Sequence, residues 1–198
     1  MSLLSDRVGK TDRVVLLPAS LEDPSKSPPG LYRIGLLITC VSITAFFGAL
    51  VIAFYWRSRT HLDWNPIPLP NTLRISTAMI LASSATFEAA RRVYSKGLHH
   101  IAARLLLATA CLGGAFLVAQ LTAWRELVHR GAYLAKNPYS TFFYMFTGLH
   151  AAHLIGGLVA LFIVVLGRST RRETVSNVCF YWHFLGVLWI ALYAVLLS

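Results

Sequence analysis

Acidic side chains are scarce: Asp and Glu together number 8 among 198 residues, against 18 Lys and Arg. No two of them are placed as a pair of carboxylates for acid–base chemistry, no glycine-rich phosphate loop occurs, and no nucleophile has a base beside it. A self-contained active site has nothing to be built from. Cysteine is limited to Cys40, Cys111 and Cys179, with no C-x-x-C spacing, which excludes a zinc or disulfide framework. All three read as small buried apolar residues. Charge of either sign is missing from several runs long enough to cross a hydrocarbon core, which takes roughly 20 residues of helix.

What is present in quantity is apolar: 56% of residues are hydrophobic and 13% charged, a mixture foreign to water-soluble domains of this size. Five runs stand out, at about 31–56, 69–90, 101–124, 139–166 and 174–197. They lack the period-two alternation of a membrane β-barrel, and helices alone satisfy their backbone within each segment in lipid. The expectation is an all-α, polytopic membrane protein with five transmembrane helices in one bundle. Asn71 after Pro70, and Asn137 with Pro138, are placed to start helices. Residues 1–30, with alternating charge and "DPSKSPPG", read as a polar, flexible tail and not as a signal peptide or a first span.

The formal net charge of +10 would suit nucleic acid, but the cations cluster between the apolar runs, where they meet lipid headgroups. No nucleic-acid partner is expected. Twelve of the 18 Lys and Arg fall in the tail, the second loop and the fourth loop; Arg57, Arg59, Arg74, Arg125, Arg130 and Lys136 fall on the other side. This asymmetry places the N-terminus in the cytoplasm and, after five spans, the C-terminus outside it.

Few residues inside the spans can do chemistry. His150 and His153 share one face of the fourth run, and His183 in the fifth reaches a similar depth at about 1.5 Å rise per residue. Two imidazoles on facing helices would suit a bis-histidine haem, so a b-type haem protein stays open beside hydrogen-bonded or lipid-facing histidines. Glu88 is the one carboxylate deep in a run, yet Arg91 and Arg92 follow at i+3 and i+4, which reads as a structural ion pair near the headgroups. Glu126 and Glu173 sit at run ends. Trp56, Trp64, Trp124, Tyr133, Tyr139 and Tyr193 mark an interfacial belt, and Gly113, Gly114, Gly148, Ala152, Gly156 and Ala160 supply small residues for close helix packing. A subunit of a larger assembly is the natural inference.

The segments "NPYSTFFYMFTGLHAAHLIGG" and "FYWHFLGVLWIALY" resemble the last two helices of subunit III of haem–copper oxidases, with their T-G-x-H-x-x-H-x-x-x-G and W-H-F patterns. "NTLRISTAMILASSATFEAARR" is similar to the family's N-T-x-L-L-x-S-S helix, and "SITAFFGALVIAFYWRS" to its S-E-x-x-F-F helix. The resemblance spans about 31–198 and fits the short, five-helix form, which lacks the first two helices of longer members. It implies a non-catalytic subunit of a respiratory terminal oxidase of the cytochrome c oxidase type, which couples oxygen reduction to proton pumping. Subunit III would support assembly, lipid binding and sustained turnover. It further implies a bacterial inner membrane location, subunit I as main contact with subunit II and other membrane subunits as further partners, and bound phospholipid. No cofactor or metal is expected in this chain, haem and copper residing in partner subunits. His150, His153, His183 and Trp182 would bond neighbouring backbone, lipid or an adjoining subunit. The related accessory subunit of nitric oxide reductase shares the helix pattern and stays in play.

Three positions depart from the family. Ile43, Ala123 and Gly186 stand where members commonly carry carboxylates. None of these side chains carries a proton, so a direct proton relay through them is not expected.

Overall fold

The computed structural model describes residues 31–60, 64–134, 137–166 and 172–198. The expected tail 1–30 and the loop cations Lys136, Arg168 and Arg171 lie outside the described residues. Five helices occupy the described chain: α1 (Leu31–Thr60), α2 (Thr72–Ser95), α3 (His99–His129), α4 (Pro138–Val165) and α5 (Arg172–Leu197). Four of them, α1, α3, α4 and α5, are long and apolar enough to span a membrane; α2 is not. The expectation of five spans is therefore met in helix count but not in composition. Arg74, Glu88, Arg91 and Arg92 and a run of Ser and Thr make α2 too polar.

Local signals set the ends. Asn137 is extended at φ −147°, and its side chain accepts a bond from Tyr139 N at 3.0 Å, with Pro138 in the first turn. Asn71 does not act as a side-chain cap: it is already helical at φ −62° and makes no capping bond, because Leu73 N finds Pro70 O and Arg74 N finds Asn71 O. Both α2 and α3 end on a left-handed glycine, Gly97 at φ +81° and Gly131 at φ +77°. In each case the next residue donates back across the turn, Leu98 N to Val93 O and Ala132 N to Leu127 O. The first of these reverses the chain so sharply that α3 begins at once and lies along α2 as a hairpin.

The buried positions explain the packing. In α2 they are Leu73, Ser76, Ile80, Ser83, Phe87 and Ala90, alternating three and four apart; in α3 the same alternation runs from Ala102 through Leu106, Thr109, Gly113, Phe116, Gln120 and Ala123 to Leu127. Alternate three- and four-residue steps are a seven-residue repeat, which keeps a seam facing its neighbour as the helices coil left-handedly. The α2, α3, α4 and α5 helices contact one another in a closed ring, and α1 lies outside that ring against α4 and α5. Trp182 and Trp189, both fully buried, fill the ring.

Several side chains depart from expectation. Cys40 and Cys179 are buried, but Cys111 is exposed, facing outward on α3, where a thiol is apolar enough for lipid. Trp56 and Tyr133 are exposed as belt residues would be, whereas Tyr139 is buried and donates to Leu196 O at 2.7 Å, and Trp124 donates to Thr147 Oγ1 at 3.0 Å. Among the small residues, Gly156 and Gly114 face open space, while Gly113 and the unremarked Gly157 meet Trp182.

Candidate functional site

Interhelical polar contact is concentrated on α2. Trp182 Nε1 donates to Ser83 Oγ, Trp189 Nε1 to Thr77 Oγ1 and Gln120 Nε2 to Ser76 Oγ, each at 3.0 Å. Thr86 and Thr109 hydroxyls pair at 2.8 Å, and Thr72 Oγ1 donates to Glu126 Oε1 at 2.8 Å. These α2 hydroxyls are turned inward, while Arg74, Arg91 and Arg92 are exposed. Ser76, Thr77 and Ser83 can accept from the neighbouring helices because each gives its own proton to a carbonyl of α2, Ser76 and Thr77 to Leu73 O and Ser83 to Ile80 O. Glu126 is thus more than an end-of-run residue: it ties the start of α2 to the end of α3 and lies 3.8 Å from Arg130 Nη2. Its place three residues beyond Ala123, beside a helix start still to be folded, gave no sequence signal of this.

At the other end of α2, Glu88 accepts from Arg91 Nε at 2.8 Å, Arg91 Nη2 at 2.7 Å and Arg92 Nε at 2.7 Å. The ion pair at i+3 and i+4 is present, and α5 joins it. His183 Nε2 lies 3.9 Å from Glu88 Oε2, and Cys179 Sγ also lies at 3.9 Å from that oxygen. One ligand atom from each of Glu88, Cys179 and His183 falls within 4.8 Å of the others, a donor set that could in principle hold a cation. Both Glu88 oxygens already accept from guanidinium, however, and two fixed positive charges oppose a third. The geometry favours the anion–cation cluster that is there.

The histidines go to three different environments. His150 is fully buried, 5.8 Å from the Phe116 ring and 5.2 Å from that of Trp189. His153 is half-buried; its Nδ1 donates to Leu149 O at 2.7 Å, and its ring lies 5.8 Å from Phe47 of α1. His183 turns to Glu88 on α2. His150 is thus sealed in the ring of helices, His153 lies against α1 and His183 against α2. His150 and Trp182, expected to touch lipid or a subunit, are at 0% exposure and are covered by this chain's own helices, so neither reaches either. His153 and His183 retain exposed edges, and backbone contact is realised at His153.

Trp182 is the hub. A Cβ on Gly113 would stand 2.8 Å from its ring edge and one on Gly157 3.5 Å from its ring, while its N–H reaches Ser83. A single side chain on α5 therefore touches α2, α3 and α4. The three positions lacking carboxylates also face inward: Ile43 and Ala123 are buried, and a Cβ on Gly186 would stand 3.2 Å from Ser84 Oγ.

Residues 28–197 match the cytochrome c oxidase subunit III family. "Probable cytochrome c oxidase subunit 3" of Nocardia farcinica is 29% identical over 180 residues, covering 86% of this chain and 89% of that protein. Subunit 3 of the cytochrome bo(3) ubiquinol oxidase of Pseudomonas aeruginosa is 25% identical over 166 residues, with 81% and 79% covered. Cytochrome c oxidase subunit 3 of Lycodon semicarinatus is 27% identical over 177 residues, 81% of this chain but 67% of that longer protein.

Proposed function

The chain belongs to the cytochrome c oxidase subunit III family, and on that premise we propose that it acts as a non-catalytic, packing subunit of a respiratory haem–copper oxidase. Membership in an oxidase complex and a multi-pass membrane location follow from the family and the apolar helices. The finer assignments are ours: no haem or metal in this chain, haem and copper in partner subunits, subunit I as the main contact with subunit II and other membrane subunits beside it, and phospholipid on the exposed apolar faces. The proposed setting is a bacterial inner membrane with the N-terminus cytoplasmic.

The observation that carries this reading is the fate of the buried polar groups. Indoles, hydroxyls and the Glu88 carboxylate are engaged in helix-to-helix or ion-pair contacts, and a group locked in such a contact is not poised for turnover. Proton transfer is further disfavoured by Ile43, Ala123 and Gly186, which are apolar and packed. Neither an accessory subunit of nitric oxide reductase nor a b-type haem protein is favoured: the similar proteins named above are oxidase subunits, and the histidines are separated.

In this reading α2 crosses the membrane as the fifth span, shielded by its neighbours. Its 24 residues extend about 36 Å at 1.5 Å per residue, enough for a hydrocarbon core of roughly 30 Å. Reporter fusions test the arrangement. A fusion after Ser198 should be active outside the cytoplasm and one in the Arg168–Arg172 loop inside; with the N-terminus cytoplasmic, the two results exchanged would remove α2 or another of the first four helices from the membrane, and both on one side would remove α5. Purification through a tag on this chain should bring down a haem–copper oxidase that consumes dioxygen. Recovery of a nitric oxide-consuming complex without dioxygen activity would refute the assignment.

A further inference from the structure

Among the described residues, three buried side-chain polar atoms have no hydrogen-bond partner: Gln120 Oε1, His150 Nδ1 and His150 Nε2. They are not scattered. Gln120 donates to Ser76 on α2, and the next residue, Thr77, receives the indole N–H of Trp189. The Trp189 ring lies 5.2 Å from His150 and 5.0 Å from Phe116, which itself lies 5.8 Å from His150 and one turn below Gln120 on the same face of α3. All three orphan atoms thus belong to one layer of the four-helix ring, closed by Ser76, Thr77, Phe116 and Trp189.

The orientation of Gln120 is fixed by chemistry. Ser76 Oγ gives its proton to Leu73 O at 2.9 Å, so toward Gln120 it can only accept, and the amide must present its NH₂. That leaves Oε1 turned away from Ser76. Thr77 cannot serve it, because its proton also goes to Leu73 O and its oxygen accepts from Trp189. A neutral imidazole has one donor and one acceptor nitrogen; the faces of Phe116 and Trp189 offer the donor at most a weak N–H···π contact and the acceptor nothing. The layer therefore holds one free acceptor on α3, and a free donor and a free acceptor on α4, in a dry surround where each demands a partner. Ala119 and Ala123, both buried beside Gln120, keep bulk out of it.

We propose that this layer is an internal water site: water inside the α2–α5 ring bridges Gln120 Oε1 to the His150 imidazole. Water fits because it both donates and accepts, and buried water typically makes about three hydrogen bonds to such orphan groups. The role is positioning: it holds the α3 and α4 helices in register across the ring, at the level where indoles already hold α5 to α2.

Two measurements on the intact oxidase test the site. A map of the complex resolved well enough to show ordered water should contain density within hydrogen-bond distance of both Gln120 Oε1 and a His150 ring nitrogen. Direct contact between the two side chains, or an empty layer, overturns the proposal. Thermal midpoints for Gln120→Leu, His150→Phe and the double variant should then be sub-additive, the second substitution lowering the midpoint less once the shared water is gone. Additive losses overturn the bridge. Should His150→Phe not assemble, His150→Leu, which offers neither donor nor acceptor, replaces it in the same cycle with the same expected and opposing outcomes.

Discussion

Helices α1 and α2 are opposites in the way they are held. α1 is strongly apolar, yet only Cys40, Ile43, Phe47 and Phe54 are buried, and it exposes Tyr32, Val41, Ile52 and Trp56 to more than half their full extent. Its serine and threonine hydroxyls bond within the helix, as Thr39 does to Gly35 O and Ser42 to Ile38 O, while the Tyr55 hydroxyl near its end pairs with Ser198 Oγ at 3.0 Å. α2 is the least apolar helix and falls short of a membrane span by composition, yet its buried seam runs nearly its whole length and its hydroxyls bind α3 and α5. In lipid, apolar side chains gain nothing from leaving the solvent, so apolarity records what faces lipid and small or polar residues record what faces protein. The apolar α1 is thus the peripheral helix, and the polar α2 is the keystone.

That contrast fixes where substitutions should hurt, read as thermal release of this subunit from the purified complex. Trp182→Ala, emptying the hub between Gly113, Gly157 and Ser83, should cost about 3–5 kcal/mol, as large-to-small changes in cores do. Trp56→Ala on α1, where the ring is 72% exposed, should change stability by less than about 0.5 kcal/mol. Equal losses would erase the distinction. Next in size is Ile43→Glu, which sets a carboxylate on the buried face of α1 at a cost of roughly 2–3 kcal/mol and without any gain in oxidase activity. A rise in activity would show that the missing acid limits turnover.

Gly113→Ala places a methyl 2.8 Å from the Trp182 ring, and a rigid indole cannot yield, so a loss of about 1–3 kcal/mol is expected. Gly48→Ala on α1 meets open space and should be neutral or gain up to about 1 kcal/mol. The smallest expected effect is Ser83→Ala, which strands the Trp182 N–H and should cost about 0.6 kcal/mol, the scale of hydrogen bonds between membrane helices. Ser42→Ala, its α1 counterpart, should be silent.

Much of this was legible in the sequence. Predominantly apolar runs located all five helices, although that of α2 carries Arg74 and Glu88, and the i+3 and i+4 spacing of Arg91 and Arg92 pointed to the Glu88 ion pair, because both signals are local. The first three runs ended short of the observed helices, as at α3, which continues from residue 124 to His129. Nonlocal facts were not legible. Gly156 and Gly157 are neighbours of equal size, and only the rotation of α4 decides which meets Trp182. The same rotation sends His150 inward and His153 toward Phe47, although three-residue spacing put them on one face. The inward turn of the α2 hydroxyls likewise depends on partners distant in sequence.

The account's central claim is that this chain packs and stabilises an oxidase without taking part in its chemistry. The most direct measurement is the initial rate of dioxygen consumption per haem in complexes with and without this subunit, all other subunits retained. The account predicts spectroscopically normal haems and appreciable initial turnover in its absence, with faster decay of activity during continued turnover. An initial rate of zero, with haems and partner subunits in place, would show that the chain takes part in catalysis and would contradict the account.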